Sequence, residues 1–324
     1  MEYTDNSLDA EVMAMKELTK DEQLIVIKKI YEQKFLTLVT TAYGKHIKHF
    51  SDDIEMCQLI SVKTGGCPED CGYCSQSNKH DTEIKLNALL PLDEIEKTVI
   101  EAKKNGVKRV CMGAGYKSPN SSAIDKSCEY IKIVKKHGLE SCLTLGSLSA
   151  EQTDKLKNAG LDYYNHNIDT SPEYYSQVVT TRTFQDRIDT INNVGNAGIK
   201  VCCGGIIGMG ESLDDRISFI HTLTMLAYVP DSIPINMHVK VPGTRLHDTP
   251  VIDKFELVRT IATVRILFPY TRIRLSAGRR ELTDLEQTLC FMAGANSIFF
   301  GDKLLTANNN EKHTDLDLLA KLGL

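Results

Sequence analysis

The sequence predicts an α/β fold, a closed (βα)8 barrel of the TIM type, and two observations support this prediction. Short apolar segments with strand character alternate with amphipathic helices along the chain, as in parallel strands joined by helical crossovers. Eight such segments can be counted, which is the number of strands in this barrel. Polar or sulfur-bearing residues lie near the ends of nearly every segment. This favours a closed ring over the alternative, an open doubly wound sheet.

The predicted strands and helices follow each other in a regular order. The strands are residues 57–63, 107–113, 139–145, 161–167, 199–205, 232–240, 271–276 and 297–301. Most strands begin just after a helix-stop signal such as the Ala-Gly pair at 159–160. Residues 91–104 place apolar side chains on one helical face, and Ser149 with Gln152 predicts a capping box. Residues 1–48 are predicted to be an N-terminal helical extension, and 49–324 a single barrel domain.

The composition excludes several functional classes. The chain of 324 residues has a net charge of −5, 42% hydrophobic and 25% charged residues, typical of a soluble globular protein. Its basic residues are scattered, so we do not expect nucleic acid as a partner. No apolar run is long enough to span a bilayer, so we expect no membrane association. The polar, acidic start does not resemble a signal peptide, so we expect a cytoplasmic location.

Ten cysteines are many for a chain in a reducing compartment, and they indicate metal binding or catalysis. Cys128 and Cys290 lie in helix-like segments, and Cys57 lies at the start of a strand. For these three, the interpretation we favour is a small buried apolar residue.

Several predicted strands have one apolar and one polar phase, and alternate residues point to opposite faces. The apolar phase should face the helices and the polar phase the barrel lumen. The polar phase holds Arg109 with Cys111, Glu140 with Cys142, Asn165 with Asn167, Lys200 with Cys202, and Arg272 with Arg274. A lumen lined in this way predicts a functional site, not a plain packed core.

The segment after the first strand contains Cys67, Cys71 and Cys74 with the spacing C-x3-C-x2-C. Thiolates are soft ligands that suit iron–sulfur clusters and zinc. Three cysteines this close can bind three corners of one cubane cluster and leave one iron open. A structural zinc site, which usually has four protein ligands, and a simple electron-transfer cluster are the alternatives.

This triplet, with Tyr73 as the aromatic residue before the last cysteine, resembles the signature of the radical S-adenosylmethionine (SAM) superfamily. The resemblance implies a 4Fe–4S cluster whose open iron binds SAM, which is then cleaved to a 5′-deoxyadenosyl radical and methionine. It also implies cofactor contacts from Tyr73, from Asn167 and Asp169 to the ribose, and from Ile206 to adenine. By its sequence alone, an Asn at a strand end is more commonly a turn or a cap.

Further segments resemble the biotin synthase family, and they run in order from about residue 57 to the C-terminus. They include residues 110–114, 141–146, 163–170, 201–205, 234–237, 274–278 and 291–301. The resemblance implies insertion of sulfur into dethiobiotin, the last step of biotin synthesis, with a 2Fe–2S cluster as the sulfur donor. The implied cluster ligands are Cys111, Cys142, Cys202 and Arg274, and the implied substrate contacts are Asn167 and Asn236. Arg274 alone would be interpreted as a carboxylate clamp or a buried ion pair.

Two rival functions stay open at this point. One is a radical SAM enzyme with another substrate, such as a hydrogenase-maturation or methylornithine-forming protein. The other is a non-catalytic iron–sulfur or zinc protein, such as a redox sensor or cluster carrier. The family resemblance also suggests flavodoxin as the electron donor and a homodimer, neither of which can be read from composition.

Overall fold

The structure is a computed structural model that describes residue 12 and residues 14–324. Its strands are β1 (Glu55–Lys63), β2 (Arg109–Ala114), β3 (Glu140–Thr144), β4 (Tyr163–Asn165), β5 (Lys200–Cys202), β6 (Gly205–Ile207), β7 (Ser232–Met237), β8 (Arg272–Leu275) and β9 (Ser297–Phe300). Every pair of neighbouring strands is parallel. The sheet runs in the order β5-β4-β3-β2-β1-β9-β8-β7-β6, and a pairing between β5 and β7 closes it. The predicted (βα)8 barrel is thus confirmed.

One of the eight predicted strands is two strands in the structure. The prediction of a continuous strand over 199–205 is wrong, because the chain is interrupted between β5 and β6. At Gly204, an added Cβ would lie 2.0 Å from the carbonyl oxygen of Pro234. Only glycine allows this close backbone approach, which separates the two short strands.

Helices surround the barrel and precede it. They are α1 (Lys20–Tyr31), α2 (Phe35–His49), α3 (Leu92–Lys104), α4 (Ser121–Lys136), α5 (Ala150–Asn158), α6 (Tyr175–Val178), α7 (Phe184–Asn196), α8 (Leu213–Thr224), α9 (Lys254–Leu267), α10 (Asp284–Met292) and α11 (Lys312–Leu322). The apolar face predicted near 91–104 is buried, and the capping box of Ser149 and Gln152 is present. In the described part of the chain, no helix has both the length and the apolar character needed to cross a membrane.

The helices before the barrel pack on its outer layer. α1 packs against α8 and α9, and α2 packs against α9 and α10. The Tyr31 hydroxyl donates to the Glu256 carboxylate at 2.9 Å, which ties α1 to α9. The predicted domain boundary at residue 48 falls one residue before the end of α2, so the division into 1–48 and 49–324 stays a prediction.

Two separate apolar groups occupy the two faces of the sheet. The main core lies between strands and helices and includes Val110, Val201 and Ile273. A smaller cluster consists of four buried side chains from neighbouring strands: Cys57, Cys111, Cys142 and Tyr163. The alternation of strand residues therefore places an apolar layer outside the barrel and a sulfur-rich layer inside it.

Candidate active site

A cavity of about 350 Å³ opens at the end of the barrel where the strands reach their carboxyl termini. Active sites of TIM barrels lie at this end because the βα loops meet there. All but one of the side chains expected in the site line it: Cys67, Cys71, Tyr73, Cys74, Cys111, Cys142, Asn167, Asp169, Ile206, Asn236 and Arg274. The exception is Cys202, which is buried at the end of β5.

The cysteine triplet lies on the loop between β1 and α3, and backbone hydrogen bonds fix its shape. The Cys67 amide donates to the Gln76 carbonyl at 3.0 Å, and the Cys74 amide donates to the Cys71 carbonyl at 2.9 Å. The Asp70 carboxylate accepts from the Thr180 and Thr181 amides at 2.9 and 3.2 Å, which fastens the loop to the segment before α7. The three thiols are therefore held on a loop that is itself anchored.

Burial acts in the same direction on all three thiols of the triplet. It raises the pKa of Cys67 and of Cys71, and it raises the pKa of Cys74 to about 11. Without a metal these groups are neutral thiols, because a buried thiolate lacks the hydration that stabilises it. Metal binding supplies the positive charge that stabilises the thiolate form.

The arrangement of the possible metal ligands also bears on whether the site suits a single metal ion or a cluster. In the described residues, no three His, Cys, Asp or Glu side chains converge closely enough to hold a single metal ion. A cubane cluster is wider than one ion and takes its three thiolates at its separate corners. A structural zinc site, by contrast, usually takes four protein ligands at one point.

Asp169 is at the centre of the polar side of the cavity. It has φ of 67°, and no other described residue except glycines has a positive φ. Its carboxylate accepts from the Tyr73 hydroxyl at 2.9 Å and pairs with Arg187 Nη2 at 2.5 Å. Left-handed backbone in a non-glycine residue is held by its surroundings and is enriched at functional sites. The pair and the hydroxyl fix the direction in which Asp169 presents its other oxygen.

Arg187 is a residue that the sequence did not single out. It lies on α7, donates from Nη1 to the Asn167 carbonyl at 2.9 Å and from Nε to the Tyr175 hydroxyl at 2.8 Å. It is buried and lines the cavity. The sequence has no signal for it, because its partners come from other elements and the residues around it read as an ordinary helix.

The two asparagines of the predicted substrate site both bond to backbone. The side-chain Oδ1 atom of Asn167 accepts from the Gly204 amide at 3.1 Å, so the side-chain NH2 group of Asn167 is left to donate elsewhere. Asn236 donates to the Gly205 carbonyl at 2.9 Å and accepts from the Ala277 amide at 3.1 Å. Each amide is oriented by these bonds and keeps further bonding capacity toward the cavity.

Ile206 lies on β6 within the glycine-rich segment, and this segment is held by a buried carboxylate. Glu211 accepts from the Gly208 amide at 2.8 Å and from the Met209 amide at 2.7 Å. Ile206, Cys71 and Tyr73 pack against the same apolar cluster, which contains Tyr175 and Met209. The glycines therefore serve the shape of this loop around Ile206, and the sequence pattern of a phosphate-binding loop is absent.

Deeper in the barrel, Arg274 lies among the lumen thiols. Its Nη2 atom is 3.1 Å from the Cys57 sulfur, its Nε donates to the Ser297 hydroxyl at 3.1 Å, and it is 3.7 Å from the Glu55 carboxylate. Burial opposes its charge, but the nearby thiols of Cys57, Cys111 and Cys202 raise its pKa. Arg274 is thus a buried cation enclosed by sulfur.

The prediction that Cys57 is a small buried residue is confirmed, and the structure adds which cluster it lies in. Cys57 is fully buried, but it lies in the lumen beside Cys111 and not among the residues of the main core. The signal was available, since Ile60 and Val62 of β1 belong to the main core and Cys57 has the opposite phase. Cys290 is buried in the main core as expected, and Cys128 is only half-buried on α4.

The adjacent pair Cys202 and Cys203 is divided between the two faces. Cys203 belongs to the main core, together with Val201. Cys202 has the opposite phase, and Arg274 and Cys57 are among the groups that act on it electrostatically. This is the arrangement that the strand phase predicts for the two neighbours.

The floor of the lumen is formed by a stack of charged and aromatic groups. The Arg109 guanidinium lies 3.5 Å from the centre of the Tyr163 ring and donates to Glu140 at 3.0 Å. Glu55 faces Arg109 at 3.5 Å, and Arg272 at 3.7 Å. Arg109, Tyr163 and Glu55 are all buried, so this stack closes the lower end of the barrel.

Comparisons with known proteins agree with this site. Residues 61–223 match the radical SAM superfamily, and residues 234–324 match the Biotin and Thiamin Synthesis associated domain. The chain is 52% identical over 299 residues to a biotin synthase of Coxiella burnetii, covering 92% of this chain and 93% of the relative. It is 54% identical to a biotin synthase of Francisella philomiragia, covering 92% and 96% of the two chains. A biotin synthase of Legionella pneumophila is 51% identical, covering 96% and 99%.

Solved structures share the fold at low sequence identity. Methylornithine synthase superposes with a TM-score of 0.79 at 18% identity, over 98% of this chain and 96% of the other. The FeFe-hydrogenase maturase HydG from Carboxydothermus hydrogenoformans superposes with a TM-score of 0.80 at 15% identity, over 99% and 79%. These likenesses support the barrel alone, whereas the sequence matches extend over nearly the whole chain. The chain therefore belongs to the biotin synthase family of the radical SAM superfamily.

Proposed function

We propose that this enzyme converts dethiobiotin to biotin by inserting sulfur between two saturated carbons. The observation that carries the proposal is that a single cavity joins the cysteine triplet, Asp169, and the lumen residues Cys111, Cys142 and Arg274. A radical formed at the mouth could then meet both a small substrate and a sulfur donor within one enclosed space. Biotin synthases of other bacteria at more than 50% identity support the same reaction.

The mouth of the cavity fits SAM and a 4Fe–4S cluster. Cys67, Cys71 and Cys74 would hold three irons, because thiolates suit iron and three of them leave one iron open. When bound, the cluster and SAM supply an electron and a carbon radical that removes hydrogen from a saturated carbon. Asp169 would accept from ribose hydroxyls, with its direction fixed by Tyr73 and Arg187.

The remaining residues of the mouth would position the two small molecules. Ile206, which lines the cavity as Tyr73 does, offers an apolar surface for the adenine ring. Asn167 and Asn236, both oriented by backbone bonds, would donate to and accept from the ureido ring of dethiobiotin. The cavity also encloses the reaction, which limits quenching of a reactive radical by water.

The lumen fits a second cluster of the 2Fe–2S type, which we propose as the sulfur donor. Cys111, Cys142 and Cys202 are buried thiols on three strands; Cys142 packs with Cys111, and Cys111 and Cys202 act electrostatically on the lumen cation Arg274. The resemblance to the family makes Arg274 the fourth ligand. We also propose a flavodoxin as electron donor, a homodimer and a cytoplasmic location, as for a radical SAM biotin synthase.

Anaerobic reconstitution with iron and sulfide tests the proposal. Two clusters of these types predict about six irons per chain, one 4Fe–4S cluster predicts about four, and zinc without sulfide indicates a structural metal site. With a reductant, SAM and dethiobiotin, we expect biotin and 5′-deoxyadenosine. Cleavage of SAM by a two-cluster protein that never forms biotin would refute dethiobiotin as the substrate.

A further inference from the structure

A buried ion pair lies beside the cysteine triplet. Glu69 stands between Cys67 and Cys71 in the sequence, and its Oε1 atom is 3.3 Å from the Nη2 atom of Arg182. Glu69 is 3% exposed and Arg182 is 7% exposed, and both side chains line the cavity. Two charges taken out of water lose their hydration, so a pair in this position is retained only where the surroundings hold it or use it.

The surroundings of this pair hold both side chains in place. The Arg182 Nη2 atom also donates to the Lys117 carbonyl at 2.7 Å, and the Glu69 carboxylate accepts from the Thr181 hydroxyl. The Ser77 hydroxyl donates to the Glu69 carbonyl at 2.5 Å. Lys117 Nζ is 3.5 Å from the Glu69 carboxylate, but the Lys117 side chain is 49% exposed, so water screens its charge. Arg182 is therefore the buried cation of this group.

Arg182 also has a donor that is not used. Among the residues that the structure describes, its Nε atom is buried and has no hydrogen-bond partner. A buried N–H group without an acceptor is destabilising, and a bound group that accepts from it removes this penalty. Sulfur atoms of a cluster at the neighbouring triplet are anionic acceptors of the kind that this donor lacks.

The charges that act on Cys67 have the sign that a reduced cluster requires. Burial is the largest influence on the pKa of Cys67 and raises it; among the charges, Glu69 also raises it, whereas Arg182 and Lys63 lower it. Two cations thus oppose one carboxylate. An oxidised cubane held by three thiolates carries a net negative charge, and reduction makes it more negative. The potential of such a cluster depends on nearby charge and on hydrogen bonds to its sulfurs.

We propose that Arg182 raises the reduction potential of the 4Fe–4S cluster, and that Glu69 holds Arg182 in place while offsetting part of its charge. This inference rests on the proposed function, since it requires a cluster at the triplet. The cluster takes one electron from the reductant and passes it to SAM, and Arg182 forms or breaks no bond in this transfer. Its positive charge and its Nε donor stabilise the added negative charge, which makes the cluster easier to reduce.

A redox titration followed by electron paramagnetic resonance tests the inference, because the two partners have opposite expected effects. Arg182→Met removes the cation and should lower the potential by about 59 mV, a tenfold change in the one-electron equilibrium. Glu69→Gln removes the carboxylate and should raise the potential. The reconstituted protein is titrated without SAM, with a europium(II) chelate as a strong reductant, so that cofactor binding does not contribute.

Two further substitutions separate charge from structure. Arg182→Lys keeps the charge and should recover at least half of the shift; no recovery would overturn the role of the charge. Lys117→Met removes the exposed cation near the same carboxylate and should shift the potential less than half as much as Arg182→Met does, because water screens Lys117. An equal shift would contradict a special role of Arg182.

A purely structural pair predicts a different pattern from an electrostatic one. Both Arg182→Met and Glu69→Gln would then lower the iron content, and the clusters that remain would keep the wild-type potential. If Arg182→Met holds no cluster, the sign of the Glu69→Gln shift decides: a rise supports the inference, and an unchanged or lower potential overturns it.

The proposed function would fail in a different way. A reconstituted wild-type protein that shows no 4Fe–4S signal on reduction would refute the proposed cluster at the triplet. A wild-type protein that shows this signal, together with unchanged potentials in the variants, would overturn only the role of Arg182 and Glu69.

Discussion

The two cysteine sets of this protein are built in different ways. The mouth set, Cys67, Cys71 and Cys74, lies on one loop within eight residues of sequence. The lumen set, Cys57, Cys111, Cys142 and Cys202, comes from four strands and is separated by helices in the chain. The loop is fixed by backbone hydrogen bonds, whereas the lumen set is fixed by the closure of the barrel.

This difference has a physical consequence for what each set can bind. Loop residues can adjust to wrap a cubane and still leave one side open to a small molecule. Strand residues are held by the sheet ladder and surround their ligand on several sides. An exchangeable partner therefore suits the mouth, and an enclosed cluster suits the lumen.

The largest expected effect comes from the mouth set. Replacing Cys71 with Ala should lower reductive cleavage of SAM by at least about 1000-fold, because an incomplete triplet cannot hold a cluster with one open iron. The rate of 5′-deoxyadenosine release under anaerobic conditions measures this. The 2Fe–2S doublets should persist in the same sample, and continued release of 5′-deoxyadenosine would contradict the role of the triplet.

A substitution in the lumen set should stop product formation without stopping cleavage of SAM. We expect Cys202→Ala to keep the 4Fe–4S cluster and SAM cleavage, but to lose the 2Fe–2S cluster and reduce biotin formation by about 100-fold or more. Mössbauer spectra and product analysis on one preparation give both readouts.

The neighbour of Cys202 supplies the control for this prediction. Cys203→Ser should keep both clusters and destabilise the fold by about 1–2 kcal/mol, because it buries a hydroxyl in an apolar core. Loss of the 2Fe–2S signal only on changing Cys203 would show that the strand faces the other way.

A smaller effect is expected at Arg187, which organises the mouth but binds no cluster. Arg187→Met removes the partner of Asp169 and the donor to the Asn167 carbonyl. We expect the KM for SAM to rise by about 10- to 100-fold, as for the loss of one partner of a buried pair. Iron content should not change, and Arg187→Lys should recover part of the loss. A fall in iron content instead would mean that Arg187 supports the loop and not the cofactor.

The smallest effect concerns His46 on α2, which belongs to neither set. Burial, together with the charge of Arg265, lowers the pKa of His46 from 6.5 to about 4. The unfolded chain thus binds a proton that the folded chain resists, so stability is present above pH 6.5 and is lost as the pH falls toward about 4. His46→Gln should reduce this loss by about 1 kcal/mol in urea unfolding at several pH values. The exposed His313→Gln is the control, and an equal change there would contradict the assignment.

The predictability of the two sets from sequence follows from the same difference. The spacing of Cys67, Cys71 and Cys74 is local, so the chain order alone reveals it. The lumen position of Cys111 and Cys142 could be inferred from strand phase once a barrel was assumed. The lumen position of Cys57 was missed although the same rule applies to it, because a lone cysteine at a strand start resembles a core residue.

Other parts of the site could not be inferred, because they depend on contacts between distant elements. Arg187 reaches Asp169 only after α7 packs on the barrel, and nothing in its neighbourhood marks it. The break between β5 and β6 depends on how closely Gly204 approaches Pro234, which a strand pattern does not encode. The fold class survives these local errors because it depends on the overall alternation of strands and helices.

The closed floor of Arg109, Tyr163 and Glu55 bears on the order in which the proposed lumen cluster is assembled and the substrate is bound. For the proposed lumen cluster, the buried floor leaves the mouth as the route by which iron and sulfide would enter, the same route that SAM and the substrate would take. An occupied mouth would then block delivery to the lumen, so turnover and rebuilding of the proposed cluster would have to alternate in time. A product that dissociates slowly would therefore delay rebuilding of the lumen cluster, and product release would limit the rate of every later cycle.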